Sequence, residues 1–220
     1  MSAAPVEAEM EERARRIVET TIELAEQGGF EAVRLRDVAS HAGVALGTLY
    51  RRFSSKEDLL VAALELETRG LAERVRKRPP RGHSRAERVD AFFVVSTHGM
   101  IKRANLSRAM LRAAASGEPA LAKKVGEFHT SMQRMIVGAL RGESIGPDSA
   151  PLTEHETLLG DVLQHVWFAL MVGWASGLDS QATVREKMRA SVELVLEGAN
   201  GNQSEIDPSR SQSKEAEERA

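Results

Sequence analysis

The chain has 220 residues, with 30 basic and 32 acidic side chains and a formal net charge of −2 at pH 7. This length leaves room for a small domain of about 65 residues and a second core of about 130. The chain contains no cysteine, which excludes disulfides and thiolate metal sites and fits a reducing compartment. The acidic amino terminus lacks the apolar run of an ordinary secretory signal, so we expect a cytoplasmic protein.

Two short helices separated by a turn are predicted after a first helix that opens at Arg16 and ends near Ala32. The first of the two is indicated by small or apolar side chains at i, i+3, i+4 and i+7, which share one helix face: Leu35, Val38, Ala39 and Ala42. Gly43 can adopt the positive φ of a sharp turn. On the second helix Leu49 and Phe53 face inward. The outer face then carries Leu46, Gly47, Thr48, Tyr50, Arg51 and Arg52.

Basic side chains are concentrated in this predicted helix-turn-helix, although the whole chain is nearly neutral. Between Arg34 and Lys56 the only acidic residue is Asp37. The basic residues of the same segment are Arg34, Arg36, Arg51, Arg52 and Lys56. Because polyanion binding needs positive charge only on the contacting face, the near-neutral total is compatible with binding to double-stranded DNA.

The same segment resembles the DNA-binding domain of the TetR family of transcriptional regulators over roughly the first 65 residues. The resemblance rests on an ordered series of motifs: 25–32, Asp37-Val38-Ala39, Ala42-Gly43-Val44, Gly47-Thr48-Leu49-Tyr50, Phe53 and 55–60. It implies a three-helix DNA-binding domain at residues 1–65. Three positions depart from the family pattern. Arg34 and Ala45 stand where members usually carry Ser or Thr as helix caps, and Arg52 stands where they usually carry Tyr or His.

The resemblance also implies that the second helix of the motif lies in the major groove of an operator. Residues expected to position the protein on phosphates are Gly47, Thr48, Tyr50 and Lys56. Candidates for contacts to base edges are Arg36, Leu46, Arg51 and Arg52. Each of these arginines can instead be a solvated surface charge, which is the usual environment of this side chain.

Helical periodicity continues through the rest of the chain, and no window shows sustained period-two alternation. We therefore predict an all-α fold, with a second domain at residues 66–198 and a disordered polar tail at 199–220. The predicted helices of this part are 56–77, 86–103, 106–115, 120–140, 154–175 and 182–197. A basic stretch around Pro79-Pro80 is more typical of a solvated linker than of a second DNA site.

The helix predicted at 154–175 has the strongest apolar pattern of the second domain. Its part from Val166 to Ala175 is almost uncharged all round, which indicates burial on more than one side, yet this part is too short to span a bilayer. We therefore predict no membrane partner. The TetR resemblance implies that this helix and the last one form the bundle of a two-fold homodimer. Such a dimer would present two recognition helices about 34 to 36 Å apart to a palindromic operator.

Soft, bulky side chains recur in the second domain, and stripes of this kind are more often packing than a binding site. The TetR resemblance favours a ligand cavity, which would suit an apolar small-molecule effector such as a lipid, a sterol or an acyl-CoA derivative. The residues predicted to line it are Phe93, Met100, Met110, Phe128, Met132, Met135, Trp167, Met171 and Trp174. Segments 105–113 and 165–174 are similar to actinobacterial repressors of cholesterol and steroid catabolism. Those repressors respond to steroid acids or their thioesters.

Enzymatic chemistry finds little support in the sequence. The six histidines form no HExxH motif, and neither GxSxG nor a P-loop is present. Asp161 and His165 stand at i and i+4, but no third or fourth metal ligand is identifiable, so we predict no metal and no cofactor. Two hypotheses remain: a repressor released by a ligand, and a dimeric helical scaffold that binds DNA or a protein without any small molecule.

Overall fold

The computed structural model describes residues 3–146 and 149–205. Within these ranges the chain forms helices and no strand, which confirms the predicted all-α fold. The elements are α1 Ala3–Ala32, α2 Leu35–His41, α3 Leu46–Tyr50, α4 Lys56–Lys77, α5 Arg85–Lys102, α6 Ala104–Ala114, a 3₁₀ turn Pro119–Leu121, α7 Ala122–Arg141, α8 Glu154–Ala175 and α9 Gln181–Glu205. From α4 onward the helix ends agree closely with the sequence prediction, apart from the end of α9.

Both outer helices extend beyond their predicted limits. Helix α1 begins at Ala3, well before Arg16, and α9 continues to Glu205. The segment 199–205 of the predicted disordered tail is therefore helical, whereas 206–220 lies outside the described residues. The early turns of α1 carry ion pairs at helical spacing, including Arg15 with Glu12 at 3.0 Å. Such exposed pairs each add only a few tenths of a kcal/mol, about 0.2–0.5, but they favour a helix that apolar periodicity does not reveal.

The helices of the DNA-binding domain differ in how their amino ends are capped. The Ser55 side chain accepts a hydrogen bond from the backbone N–H of Asp58 and so caps α4. In contrast, Arg34 and Ala45 precede α2 and α3 without a side-chain cap, as the sequence predicts. Gly43 has a φ of +65°, which supplies the turn between α2 and α3. These short helices therefore depend on packing for their stability rather than on their own ends.

Helix α4 joins the two predicted domains, because its first half is buried on every side. The run from Leu59 to Leu64 lies within one continuous core that contains side chains of α1 to α3 as well as of α5 to α9. Asp58 is also buried, and its carboxylate accepts hydrogen bonds from the backbone N–H and hydroxyl of Ser54 and pairs with Lys124 of α7. The start of α4 is thus fixed to both parts of the molecule.

Helix α8 is partly enclosed by the other helices. By length and composition it is the one helix of the described part that could cross a membrane, but a core helix passes the same test. Leu163, Trp167 and Met171 are buried in the protein core, whereas a stripe at i, i+4, i+7 and i+11 remains exposed. This stripe consists of Leu158, Val162, His165 and Ala169.

The amino end of α8 is held by a capping box and an ion pair. The carboxylate of Glu156 accepts hydrogen bonds from the Thr153 backbone N–H at 2.9 Å and from Arg141 Nε and Nη2, each at 2.7 Å. The Arg141 hydrogen bond is the main cause that lowers the pKa of Glu156 from 4.5 to about 2, against the opposing effect of burial. Folding is therefore favoured above pH 4.5, where this carboxylate is ionised in both the folded and the unfolded chain.

We expect Glu156→Gln to lower the melting temperature at pH 7 by roughly 3 °C, because the amide loses the charge-assisted hydrogen bonds to Arg141. The folded-state pKa is depressed, so the stabilisation decreases as the pH falls from 4.5 towards 2, and the difference between wild type and variant should shrink in that window. Thermal unfolding followed by circular dichroism across this pH range measures the effect. Glu154→Gln, in the same first turn but exposed, is the control; a difference that stays constant with pH would contradict the assignment.

Candidate DNA-binding surface and effector cavity

The predicted DNA contacts lie on α2, α3 and the start of α4. Arg36 on α2, Gly47 and Tyr50 on α3, and Arg51 immediately after α3 are exposed. Leu46 and Thr48 are half-buried, and Leu46 packs partly against the core. The side chain of Arg51 donates to the Thr48 hydroxyl at 3.1 Å, and this hydrogen bond holds the exposed guanidinium beside α3.

Two of the predicted cationic contacts are already paired with carboxylates inside the chain. Arg52 donates to Glu11 of α1 at 3.1 Å. Lys56 Nζ lies 3.5 Å from Glu31 Oε2 and 4.2 Å from the centre of the Phe30 ring. A DNA phosphate that engages either cation must therefore compete with an internal carboxylate.

A cavity of about 650 Å³ lies in the second domain, among α4, α5, α6, α7 and α8. Five of the nine predicted ligand-binding residues line it: Met100, Met110, Phe128, Met132 and Trp167. Its remaining apolar wall comes from residues that the sequence analysis did not single out: Leu64 and Leu71 of α4, Val94 and Val95 of α5, and Leu106 of α6. The volume is within the usual range for small-molecule sites, about 300–1,000 Å³.

The polar groups in the cavity wall are mostly bonded to the protein itself. Trp167 Nε1 donates to the Thr97 hydroxyl at 2.9 Å. The hydroxyls of Thr68 and Ser107 donate to the backbone carbonyls of Leu64 and Met100, each at 2.7 Å. Because their donor hydrogens are used in this way, the interior of the cavity presents mainly hydrocarbon, aromatic rings and methionine sulfur.

Ionisable side chains also line the cavity, and all of them are exposed or half-buried: Glu67 and Arg74 of α4, His98 and Lys102 of α5, and Arg103 immediately after α5. Burial opposes the charge of Arg103, but its ion pairs with Glu26 and Glu67 outweigh burial and raise the pKa of the guanidinium. The cavity is therefore apolar inside and carries fixed charge at its solvent-facing side.

The other four predicted ligand-binding residues do not line this cavity. Phe93 and Met171 are buried in the core, where the Phe93 ring lies 6.2 Å from Trp167. Trp174 lies beneath the guanidinium of Arg108 at 5.0 Å. Met135 borders a separate groove of about 410 Å³ beside Pro79 and Pro80. An apolar stripe runs along the whole length of a helix, whereas the cavity contacts only part of that length. Residues of one stripe can therefore lie outside the cavity.

The basic stretch around Pro79-Pro80 includes one side chain with a structural role. Arg88 donates from Nε and Nη2 to the backbone carbonyls of Ala139 and Leu140, at 2.9 and 2.8 Å. These carbonyls lie in the last turn of α7, where they have no partner within the helix. Arg88 therefore stabilises the carboxyl end of α7, a role that the sequence alone did not indicate.

Helix α6 connects the cavity with the DNA-binding domain. One side of it supplies Leu106, Ser107 and Met110 to the cavity wall. On its other side the Asn105 amide donates to the Glu26 backbone carbonyl at 3.0 Å, and Arg103, just before α6, pairs with the Glu26 carboxylate. A displacement of α6 by a ligand would therefore act directly on α1.

The Asp161 and His165 pair is engaged in protein contacts. Asp161 Oδ1 accepts a hydrogen bond from Gln133 at 2.7 Å, and His165 stacks on His129 with ring centres 5.4 Å apart. Burial is the main cause that lowers the pKa of His129. Over residues 3–146 and 149–205, no group of three or more His, Cys, Asp or Glu side chains could hold a metal ion.

Two family models match the chain over its two domains. Residues 17–63 match the bacterial regulatory proteins of the tetR family, and residues 82–195 match the tetracyclin repressor-like C-terminal domain. The chain belongs to the TetR family. This TetR-family protein is therefore a transcriptional regulator, with an amino-terminal helix-turn-helix domain and a helical carboxyl-terminal domain.

Relatives and solved structures agree with this assignment. The regulator is 36% identical over 185 residues to the HTH-type transcriptional repressor KstR of Rhodococcus jostii, covering 84% of this chain and 83% of the relative. A TetR transcriptional regulator from Rhodococcus sp. RHA1 superimposes with a TM-score of 0.74 at 28% identity, covering 84% and 97% of the two chains. Thermus thermophilus FadR, solved with lauroyl-CoA, shares the fold with a TM-score of 0.67 at 22% identity, covering 84% and 94%.

For this TetR-family regulator we expect two classes of substitution on the DNA-binding surface. Tyr50→Ala and Lys56→Ala should weaken binding to all duplexes by a similar factor, because phosphate contacts carry no sequence information. Arg36→Ala and Arg51→Ala should change base preference, at a cost of about 1–3 kcal/mol at the contacted base pair. Binding of each variant to a library of operator sequences measures both effects. An unchanged preference profile for Arg36→Ala and Arg51→Ala would refute their base-reading roles.

Proposed function

We propose that this regulator is a repressor that binds a palindromic operator as a homodimer in the cytoplasm and is released by an apolar small-molecule effector. The observation that carries the proposal is the apolar cavity among α4 to α8, one wall of which is the helix that contacts the DNA-binding domain. A ligand in the cavity would then act on α6, which also contacts the DNA-binding domain. The affinities for effector and operator are coupled reciprocally, so the effector must bind the operator complex more weakly than the free dimer.

The lining of the cavity favours an effector with an extended hydrocarbon body and one polar or anionic end. Methionine and aromatic side chains adapt to an acyl chain or a fused ring system. Arg74 and Lys102 at the solvent-facing side can pair with a carboxylate or with the phosphates of a coenzyme A thioester. The lauroyl-CoA complex of Thermus thermophilus FadR and the likeness to KstR support a lipid, sterol or acyl-CoA derivative.

The exposed apolar stripe of α8 supports the proposed homodimer. Leu158 and Val162 are 60% and 38% exposed, and Leu194 of α9 is 70% exposed. Large aliphatic side chains exposed along two helices of one protein are typical of a helical interface. A two-fold axis beside α8 and α9 would pair each stripe with its own copy, which a palindromic operator requires.

The proposal is tested first with the purified protein and its own upstream intergenic DNA. Fluorescence anisotropy at two salt concentrations measures operator affinity, with and without lauric acid, lauroyl-CoA, cholesterol and a steroid acid. Tight, salt-sensitive binding that one compound releases is the expected result. Tight binding that none of these compounds disturbs would favour the scaffold hypothesis. Absence of binding to this DNA would show that the operator does not lie upstream of the regulator's own gene. A genome-wide selection of bound duplexes would then test for an operator elsewhere.

We expect Met100→Trp to abolish release by the effector while operator affinity stays within about threefold of wild type. Met100 is half-buried in the cavity wall, so an indole can occupy ligand space without the strain of overpacking the closed core. The measurement is operator binding against effector concentration. Ile101→Trp, at the next residue of α5, is the matched control and should keep its release, because Ile101 is also half-buried but does not line the cavity. Equal loss of release in both variants would contradict the assigned cavity.

We expect Leu158→Asp to convert the dimer to a monomer and to weaken operator binding more than tenfold. The substitution places a charge within the proposed apolar interface, where it has no partner and loses its hydration. Sedimentation velocity measures the oligomeric state. Leu178→Asp, 81% exposed in the turn after α8, is the control and should remain dimeric. A dimer that survives Leu158→Asp would place the interface elsewhere.

A further inference from the structure

Four side chains meet where α1, α4 and α6 approach one another, and we call them the charge clasp: Phe30, Glu31, Lys56 and Arg112. The Glu31 carboxylate pairs through Oε2 with Lys56 at 3.5 Å and through Oε1 with Arg112 at 3.1 Å. Both cations also lie over the Phe30 ring, at 4.2 Å for Lys56 and 3.9 Å for Arg112. One carboxylate and one ring are thus shared between a cation at the start of α4 and a cation on α6.

The two cations belong to different functional parts of the regulator. Lys56 lies at the amino end of α4, where its charge and the free amides of that end favour an operator phosphate. Arg112 lies on α6, whose opposite side supplies Met110 to the cavity wall. Glu31 is therefore a common partner of a predicted DNA contact and of the helix that borders the cavity.

Glu31 pairs with both cations, and its pairing determines how much positive charge Lys56 presents to an approaching phosphate. While Arg112 neutralises Glu31, Lys56 can leave the carboxylate for a phosphate without exposing an unpaired negative charge beside the DNA. Without Arg112, Glu31 holds Lys56 more strongly and repels the phosphate. The side chains of Arg112 and Glu31 are 62% and 73% exposed, so solvent screening limits the effect at each clasp.

We propose that Arg112 and Glu31 are positioning residues that set operator affinity by controlling whether Lys56 is available to a phosphate. This inference rests on the proposed operator binding and assigns a regulatory role to two residues outside the helix-turn-helix. It also connects α6 to the DNA-binding surface through charged side chains. A displacement of α6 that separates Arg112 from Glu31 leaves Lys56 paired with the Glu31 carboxylate and therefore less available to a phosphate.

A double-mutant cycle on operator affinity tests the proposal without any effector. Glu31→Gln should tighten operator binding about threefold per protomer, and hence about tenfold for a dimer with two clasps, because Lys56 is released. Arg112→Ala should weaken binding by a similar factor and make its salt dependence shallower, because Lys56 stays with Glu31. In the Glu31→Gln background, Arg112→Ala should change affinity less than twofold, because the carboxylate through which it acts is gone.

Arg108→Ala is the matched control for the loss of one positive charge from α6. Arg108 is exposed one turn before Arg112 and lies over Trp174, not Phe30. It should leave operator affinity within twofold of wild type. Arg112→Lys, which keeps the charge, should restore most of the affinity lost in Arg112→Ala. It also tests the role of this charge if the alanine variant folds poorly.

The outcomes separate this inference from the proposed function. If wild type binds its operator but the effects of Glu31→Gln and Arg112→Ala are additive, the charge clasp does not control Lys56 and only the inference fails. Equal losses in Arg108→Ala and Arg112→Ala would overturn it as well, because general charge would then explain the result. If wild type binds no duplex in the selection described above, the proposed function itself fails.

Discussion

The structure depends on the burial of the first half of α4. Leu59 to Leu64 contact helices of both domains, so the DNA-binding helices share one core with the helices around the cavity. The buried carboxylate of Asp58 strengthens this arrangement, because losing its Lys124 or Ser54 partners would leave a charge without compensation. The two domains therefore share packed side chains at the start of α4, which is the physical basis for the proposed coupling between the cavity and the helix-turn-helix.

Helix α6 has two different sides, because it lines the cavity on one side and contacts α1 on the other. Its cavity side is apolar and adaptable, whereas its other side makes polar contacts to α1 through Asn105 and Arg112. Polar contacts have narrow geometric requirements and apolar contacts tolerate displacement. Under the proposed function, a displacement of α6 by a ligand would cost little in the adaptable cavity wall but would break hydrogen bonds at α1. This asymmetry favours the ligand-released repressor over a scaffold without an effector, although both share the same fold.

Periodicity and motif order predicted the helices and the helix-turn-helix because these features are local. The amino-terminal turns of α1 were missed because charge pairs, not apolar residues, mark them. In the cavity, Met110 and Phe128 could not be distinguished in advance from Phe93 and Met171, since the offset between neighbouring helices is not encoded in either one. The pairing of Asp58 with Lys124 and of Glu31 with Arg112 joins residues far apart in sequence, which a single chain without its fold does not reveal.

The extended α1 has a consequence for how related regulators can diverge. Its Glu11 pairs with Arg52, two residues after α3, so the charge beside the predicted DNA contacts depends in part on α1. A substitution in α1 that removed the Glu11 carboxylate would free Arg52 while leaving every residue of α3 in place. In the proposed operator complex, DNA affinity could then change by mutation in α1, without any change in the sequence of α3.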